Sequence, residues 1–152
     1  MVEDLNRQRV LNFLDAYYSG DADAAAACCD EDFDSITYAP IELFPHLGHK
    51  QSREWVAEMI RTQKKRYSSR KYEIKFMAVD GDKVATIQQI ALRKRNDKRV
   101  VLLTVAEFFT LRGGLILVHR SFFDSFDLVQ QVLGQDLTET FAASVRDALQ
   151  VR

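Results

Sequence analysis

The sequence has few of the residues that form disulfides or bind metals. It contains two cysteines and three histidines in 152 residues. Cys28 and Cys29 are adjacent, so they fit neither ordinary disulfide geometry nor a metal-ligand spacing. His46 and His49 lie in one loop, without a third histidine or cysteine nearby in the sequence. We therefore expect buried, reduced cysteines, no metal and loop histidines at an exposed rim.

The sequence also lacks a strong charge bias, a long apolar run and a leader-like start. Its net charge is -1, so no overall positive charge attracts nucleic acid or an anionic membrane. No apolar run approaches the ~18 residues of a membrane span, and the acidic start "MVEDLNRQRV" is unlike a signal peptide. We expect a cytoplasmic protein with no nucleic-acid or membrane partner.

The chain does contain enough apolar sequence for one hydrophobic core. Hydrophobic residues make up 47% and charged residues 28%, which is typical of a single globular domain. Apolar spacings of three and four predict a helix over residues 5–18. Gly20 and Asp21 suit a C-cap and an N-cap, and a second helix is predicted over residues 22–33. Ser52 can cap a third helix, with Trp55 on its apolar face.

The rest of the chain has the pattern of strands. One strand is predicted over residues 33–40 and a loop over residues 41–51. Four more strands form a meander, at residues 71–81, 83–95, 99–111 and 115–124, with a strong turn signal at Asp80-Gly81. Two helices follow, one over Leu128–Leu133 that Ser125 or Asp127 can cap, and one from Leu137 onward. This order predicts an α+β fold, in which N-terminal helices cover the concave face of a cone-shaped, curved antiparallel sheet.

The element order and the last hairpin resemble the nuclear transport factor 2-like superfamily. Within it, SnoaL-like proteins, ketosteroid isomerases and limonene epoxide hydrolases are the most similar. The stretch "VAEFFTLRGGLILVHRSFFD" resembles that family's final hairpin, and its end, "RSFFD", matches an Arg-Asp-Tyr-Phe-Asp signature. The resemblance implies a SnoaL-like domain over residues 1–134 and a helical tail over residues 135–152. It also implies a homodimer, and a pocket that binds a small hydrophobic ligand without a cofactor.

The resemblance to ketosteroid isomerases implies three catalytic positions. The tyrosine position falls on Phe13, the base on Ala39 and the oxyanion-hole acid on Glu107. Because a methyl group cannot accept a proton, we do not expect the isomerase mechanism in its familiar form.

The resemblance to limonene epoxide hydrolases implies three other positions. They fall on Gln88, Ile90 and Ser121, where the related enzymes carry an arginine and two aspartates. Ile90 has no acid-base capacity, so we do not expect epoxide hydrolysis by that set.

Glu107 and His119 remain as a candidate catalytic pair. If the last hairpin has a three-residue turn, strand alternation places Glu107 directly opposite His119 inside the cone. A two-residue Gly113-Gly114 turn would instead place Glu107 on the face of Arg120. The resemblance favours the first register. The residues predicted to line the pocket are Phe13, Tyr38, Trp55, Gln88, Ile90, Ser121 and Phe123.

Three functions fit this sequence. The first is a SnoaL-like protein that binds a small hydrophobic molecule and lacks the known isomerase and epoxide hydrolase catalytic sets. The second is a cofactor-independent isomerase, cyclase or hydratase that uses Glu107 and His119 as an acid-base pair. The third is a non-catalytic, dimeric interaction module, for which outward aromatics such as Phe108 and Phe122 could form the interface. No glycine-rich dinucleotide loop or P-loop is present, so we expect no cofactor.

Overall fold

The computed structural model describes residues 1–150, which form one six-stranded sheet and five helices. The helices are α1 (Val2–Ser19), α2 (Ala22–Ala27), α3 (Glu54–Arg66), α4 (Ser125–Leu133) and α5 (Thr138–Gln150). The strands are β1 (Cys29–Tyr38), β2 (Gly48–Gln51), β3 (Tyr67–Asp80), β4 (Lys83–Lys94), β5 (Val100–Arg112) and β6 (Leu115–Phe122). The predicted α+β class is confirmed.

The sheet is mixed, so the prediction of a wholly antiparallel sheet was wrong. Its strand order is β2-β1-β6-β5-β4-β3, and β3 to β6 form the expected antiparallel meander. However, β1 pairs with β6 in the parallel sense. Parallel neighbours need a long crossover, and here β2, α3 and the strands β3 to β5 lie between β1 and β6 in the chain.

The elements on either side of β1 differ from the prediction. The second helix ends at Ala27 and β1 begins at Cys29, because pairing of Cys29 with Ile116 on β6 overrides the local helix preference. The predicted loop over residues 41–51 contains the short strand β2, which pairs with β1. Its backbone hydrogen bonds therefore protect the outer edge of β1.

The core lies between the helices and the concave face of the sheet. Val10 and Leu14 on α1 pack with Ile60 on α3 against Phe109 and Ile116 of the sheet. This packing follows from the three- and four-residue spacing of apolar side chains along α1.

Both cysteines belong to this core and are free thiols. Burial raises the pKa of the Cys29 thiol to about 12, so it stays protonated at neutral pH. The thiolate is the reactive form of cysteine, and Cys29 is therefore chemically inert under ordinary conditions.

Helix α5 adds little to the core. None of its residues is buried, and its Phe141 meets Phe126 of α4 edge-on, with ring centroids 5.8 Å apart. No helix within residues 1–150 combines the length and apolarity needed to cross a bilayer.

We expect Leu14→Ala to lower the free energy of unfolding by about 2–5 kcal/mol, because it leaves a cavity in the core. Leu14 is 1% exposed, whereas Leu5, on the same helix, is 65% exposed. The control Leu5→Ala should change stability by no more than about 0.5 kcal/mol. Urea denaturation of both variants measures the difference, and equal effects would contradict the packing of α1 on the sheet.

Candidate active site

A β-bulge sets the face on which the candidate catalytic residues lie. The hairpin turn has two residues, since Arg112 pairs with Leu115, so the predicted three-residue turn was wrong. The register then shifts between Thr110 and Leu111, because Leu117 is an extra residue on β6. The two-residue turn alone would place Glu107 on the same face as Arg120. The bulge instead places Glu107 on the same face as His119.

The predicted face of Glu107 is therefore right, although its predicted partner is not. Glu107 lies opposite Ser121, and His119 lies opposite Phe109. Glu107 and His119 are diagonal neighbours on the concave face, and diagonal pairs on a sheet are within reach of long side chains. The bulge displaces Leu117, and Ile116 fills the core instead.

Glu107, His119 and Ser35 form a hydrogen-bonded chain. His119 Nε2 is 3.1 Å from Glu107 Oε2, and His119 Nδ1 is 2.9 Å from Ser35 Oγ. An ionised carboxylate only accepts hydrogen bonds, so Nε2 carries the hydrogen in the first contact. In the neutral ring, Nδ1 then accepts the Ser35 hydroxyl hydrogen. Glu107 Oε1 has no protein partner within residues 1–150, so this oxygen is free to accept a proton.

Three phenylalanine rings surround the imidazole of His119. The centroid of Phe109 is 5.1 Å away, and those of Phe33 and Phe13 are 6.3 and 6.4 Å away. The side chain of His119 is only 12% exposed and that of Glu107 only 9%. These rings hold the imidazole in place and keep bulk water from its faces, so the pair interacts in a surrounding of low polarity.

The pair opens onto a cavity of about 450 Å³, a volume within the range of small-molecule sites. Of the predicted lining residues, the structure places five at the cavity wall: Phe13, Trp55, Ile90, Ser121 and Phe123. Ser35, Tyr17 and Tyr18 also line it and were missed. A signal for the tyrosines was present, because Tyr17 is four residues after Phe13 and so lies on the same face of α1.

Two predicted lining residues do not reach the cavity. Tyr38 is 47% exposed and stacks on Phe122 with centroids 4.5 Å apart. It lies on the convex face because strand alternation from the inward Ser35 turns Tyr38 outward. Gln88 faces inward but is fully buried below the cavity, where its amide donates to Thr86 Oγ1 at 2.9 Å.

Tyr17 supplies a protonated hydroxyl at the cavity wall. Burial raises its pKa to about 12, and the negative charge of Glu107 contributes in the same direction. The Arg70 guanidinium opposes this rise and lies over the Tyr17 ring, 4.8 Å from its centroid. Tyr17 is therefore a hydrogen-bond donor at neutral pH, which is the role an oxyanion needs.

The convex face holds its charges in a separate network. Arg120 contacts Asp34 at 2.8 Å, and His49 contacts the same carboxylate at 2.6 Å. The His49 and Arg120 contacts hold the pKa of Asp34 below its ordinary value. Among residues 1–150, no three histidine, cysteine or acidic side chains cluster in a way that could hold a metal ion.

Helix α4 begins at Ser125, three residues before its predicted first residue. Asp124 is its N-cap, and the Asp124 carboxylate accepts a hydrogen bond from the backbone N–H of Asp127 at 3.0 Å. The cap starts α4 directly after β6, which brings Leu128 and Val132 to the cavity wall.

The sequence comparison identifies the family. The SnoaL-like domain model matches residues 10–119, which is most of the chain. The chain therefore belongs to the SnoaL-like domain family, with the nuclear transport factor 2-like fold. No functionally curated protein matches the chain significantly in sequence.

Solved structures share the fold at low sequence identity. A protein from Rhodopseudomonas palustris, described as a candidate isomerase, is 25% identical with a TM-score of 0.74, covering 84% of this chain and 97% of that one. An epoxide hydrolase of the limonene type from M. tuberculosis is 20% identical with a TM-score of 0.72, covering 92% and 98%. A protein of unknown function from Burkholderia pseudomallei is 15% identical with a TM-score of 0.76, covering 84% and 96%.

We expect His46 to titrate near pH 4 in the folded protein. Burial of the ring lowers its pKa to about 4, and Arg66 and Lys50 contribute. Since the unfolded chain binds this proton more tightly, His46 makes stability fall as the pH drops from about 6.5 to about 4. An NMR titration of the histidine rings, assigned with a His46→Gln variant, checks this. A midpoint near pH 6.5 would contradict it.

Proposed function

We propose that this protein is a cofactor-independent enzyme that moves a proton on a small hydrophobic carbonyl compound. The observation that carries the proposal is the 3.1 Å contact between Glu107 and His119 at the wall of the cavity. A binding protein needs a pocket, but it does not need a carboxylate with one oxygen free beside a protonated phenol. The 25%-identical neighbour described as a candidate isomerase is of the same reaction class.

The proposed reaction begins at the free oxygen of Glu107. Glu107 Oε1 removes a proton from the carbon next to the substrate carbonyl, and the electrons of that C–H bond form an enolate. The Tyr17 hydroxyl donates a hydrogen bond to the enolate oxygen, where negative charge develops. Glu107 then returns its proton to another atom of the same intermediate, so no cofactor or oxidant is consumed. Isomerisation and intramolecular aldol cyclisation both fit this scheme.

His119 and Ser35 position the base in this scheme. The imidazole N–H fixes the carboxylate orientation, and the Ser35 hydroxyl fixes the tautomer of the imidazole. Such groups act before the reaction by reducing the reorientation needed in the transition state.

We expect Glu107→Gln to lower the rate of proton exchange by about 10²- to 10⁴-fold, because the amide cannot accept the proton. The assay follows loss of the α-proton signals of hydrophobic ketones in D₂O by NMR. Glu73→Gln is the matched control, since Glu73 is exposed on β3, does not line this cavity and has Lys75 as its side-chain ion partner.

Exchange at an unchanged rate in Glu107→Gln would exclude Glu107 as the base. A wild-type protein that binds these ketones without accelerating their exchange would instead be a non-catalytic binding protein. Either result overturns the proposed reaction.

A second candidate function is acyl transfer, because the hydroxyl of Ser35 donates to an imidazole that a carboxylate holds on its other nitrogen. This order resembles a nucleophile, a base and an orienting acid. In that reaction Ser35 Oγ attacks an ester carbonyl carbon, its proton passes to His119 Nδ1, and the alcohol leaves with that proton. Water then releases the acid from Ser35. No pair of backbone N–H donors is seen beside Ser35 in the described residues, so we favour proton transfer.

Ser35→Ala separates the two reactions. If Ser35 only orients His119, the variant should keep proton exchange within about tenfold of wild type, since one neutral hydrogen bond contributes about 1 kcal/mol. The wild type should also stay unlabelled by a fluorophosphonate, as read by intact mass. One label per chain that disappears in Ser35→Ala would establish acyl transfer instead.

The homodimer expected from the family resemblance stays a prediction, as does the alternative of a dimeric interaction module. Phe108 and Phe122 are about half exposed on the convex face and meet edge-on, which is where such an interface would lie. Molecular mass measured in solution by light scattering decides between monomer and dimer.

A further inference from the structure

Cationic side chains gather at one end of the cavity, which we call its mouth. Lys65 and Arg66 come from the end of α3, and Lys94 and Arg95 come from the end of β4. Asp97 contacts Lys94 at 3.0 Å. The other three cations have no carboxylate partner within residues 1–150, so this mouth carries uncompensated positive charge.

Interaction with the dipole and the last carbonyls of α3 explains only part of this arrangement. Basic residues in a last turn interact favourably with the helix dipole, and Lys64 fits that role because it packs beside Gly20, away from the cavity. Arg95, however, comes from another element. Its Nε donates to the Lys64 carbonyl at 2.8 Å, and its backbone N–H donates to the Arg66 carbonyl at 2.9 Å. Two elements are thus joined so that their cations converge on one opening.

The opposite end of the cavity carries a carboxylate instead of cations. Glu107 is the only carboxylate among the described lining residues, and it lies opposite Thr86 of β4. Arg95 is nine residues beyond Thr86, a contour of about 30 Å along the strand. The wall between these ends is apolar, with Ile90, Leu92 and Val105 prominent. The straight path through the cavity is shorter because the sheet is curved.

We infer that the substrate is an anionic amphiphile. Its hydrophobic body fills the apolar wall, its reacting carbonyl reaches Glu107, and a carboxylate or similar anionic group at its other end sits among Lys65, Arg66 and Arg95. This inference rests on the proposed function for the position of the carbonyl, but the charge preference of the mouth is independent of turnover.

His46, a loop residue at this mouth, is a further indication of positive potential there. His46 lines the cavity, and its Nδ1 is buried without a hydrogen-bond partner among the described residues. Its lowered pKa reflects burial first and then the nearby Arg66 and Lys50. A positive potential at this opening favours an anion.

The test compares two dyes with the same aromatic skeleton. One is 1-anilinonaphthalene-8-sulfonate, which is anionic, and the other is N-phenyl-1-naphthylamine, which is neutral. Both are titrated by fluorescence into the Glu107→Gln variant, so that turnover plays no part. The triple variant Lys65→Gln/Arg66→Gln/Arg95→Gln, in the same background, should bind the anionic dye about tenfold more weakly and the neutral dye within about twofold.

A matched control removes the same net charge elsewhere. Lys71, Lys75 and Arg93 are exposed on β3 and β4 and do not line this cavity, so their replacement by glutamine should leave both affinities unchanged. The salt dependence of dye binding is a second measurement, and it needs no mouth variant. Raising the salt concentration from about 20 to about 500 mM shortens the Debye length from about 20 to about 4 Å, which should weaken the binding of only the anionic dye.

The inference is overturned if both dyes respond equally to the mouth variant, or if salt leaves the anionic dye unaffected. It is also overturned if the control triple weakens the anionic dye as much as the mouth triple. The proposed reaction fails separately, when wild-type protein binds but exchanges no α-proton. Charge preference without exchange would therefore retain the substrate class and reject the chemistry.

Discussion

The position of the candidate active site depends on one extra residue in β6. The two-residue Gly113-Gly114 turn fixes the pairing of Arg112 with Leu115, and continued without interruption this register would bring Arg120 opposite Glu107. The bulge at Leu117 shifts the pairing by one residue, so Glu107 meets Ser121 instead. A shift of one residue exchanges the two faces of a strand. The bulge therefore decides whether His119 or Arg120 faces the apolar cone.

The two charge networks of β6 show why only one register suits this sequence. On the convex face, Arg120 meets Asp34, and both groups retain partial contact with water. On the concave face, His119 can be neutral while it hydrogen-bonds Glu107 and Ser35. If the faces were exchanged, the permanently charged Arg120 would lie opposite Glu107 among the phenylalanine rings, and the desolvation of such a buried ion pair can exceed its Coulombic gain. The bulge therefore places the side chain that can be neutral, His119, among the phenylalanine rings.

Much of the fold was predictable because its signals are local. Helical spacing defines α1, and Asp80-Gly81 marks the turn between β3 and β4. The parallel pairing of β1 with β6 was not predictable in this way, because it joins Cys29 to Ile116 across most of the chain. Short β2 was missed for the same reason, since it gains its structure from hydrogen bonds to β1.

The site was predicted less completely than the fold, again for a physical reason. Strand alternation places Glu107 and His119 on one face only for an assumed turn length. The assumed three-residue turn was wrong, but the bulge adds one residue and leaves both side chains on that face. Tyr38 was placed on the wrong face because the inward position of β1 is Ser35, and no local pattern distinguishes the two alternating sets in that strand. Ser35 itself is a common polar residue whose importance depends on contact with His119.

The chemistry proposed here can differ from that of the related enzymes because the cone directs many positions to one volume. Phe13 replaces the tyrosine expected from the resemblance, but Tyr17 is one helical turn further along the same face and supplies the phenol. Ala39 cannot act as a base, but Glu107 remains and has an oxygen free of protein partners. Moving the donor by one turn, about 5.4 Å along the helix, shifts it toward the mouth of the cavity. In the proposed reaction the carbonyl shifts with the donor, so the absence of the familiar residues is compatible with acid-base chemistry at a different place in the cone.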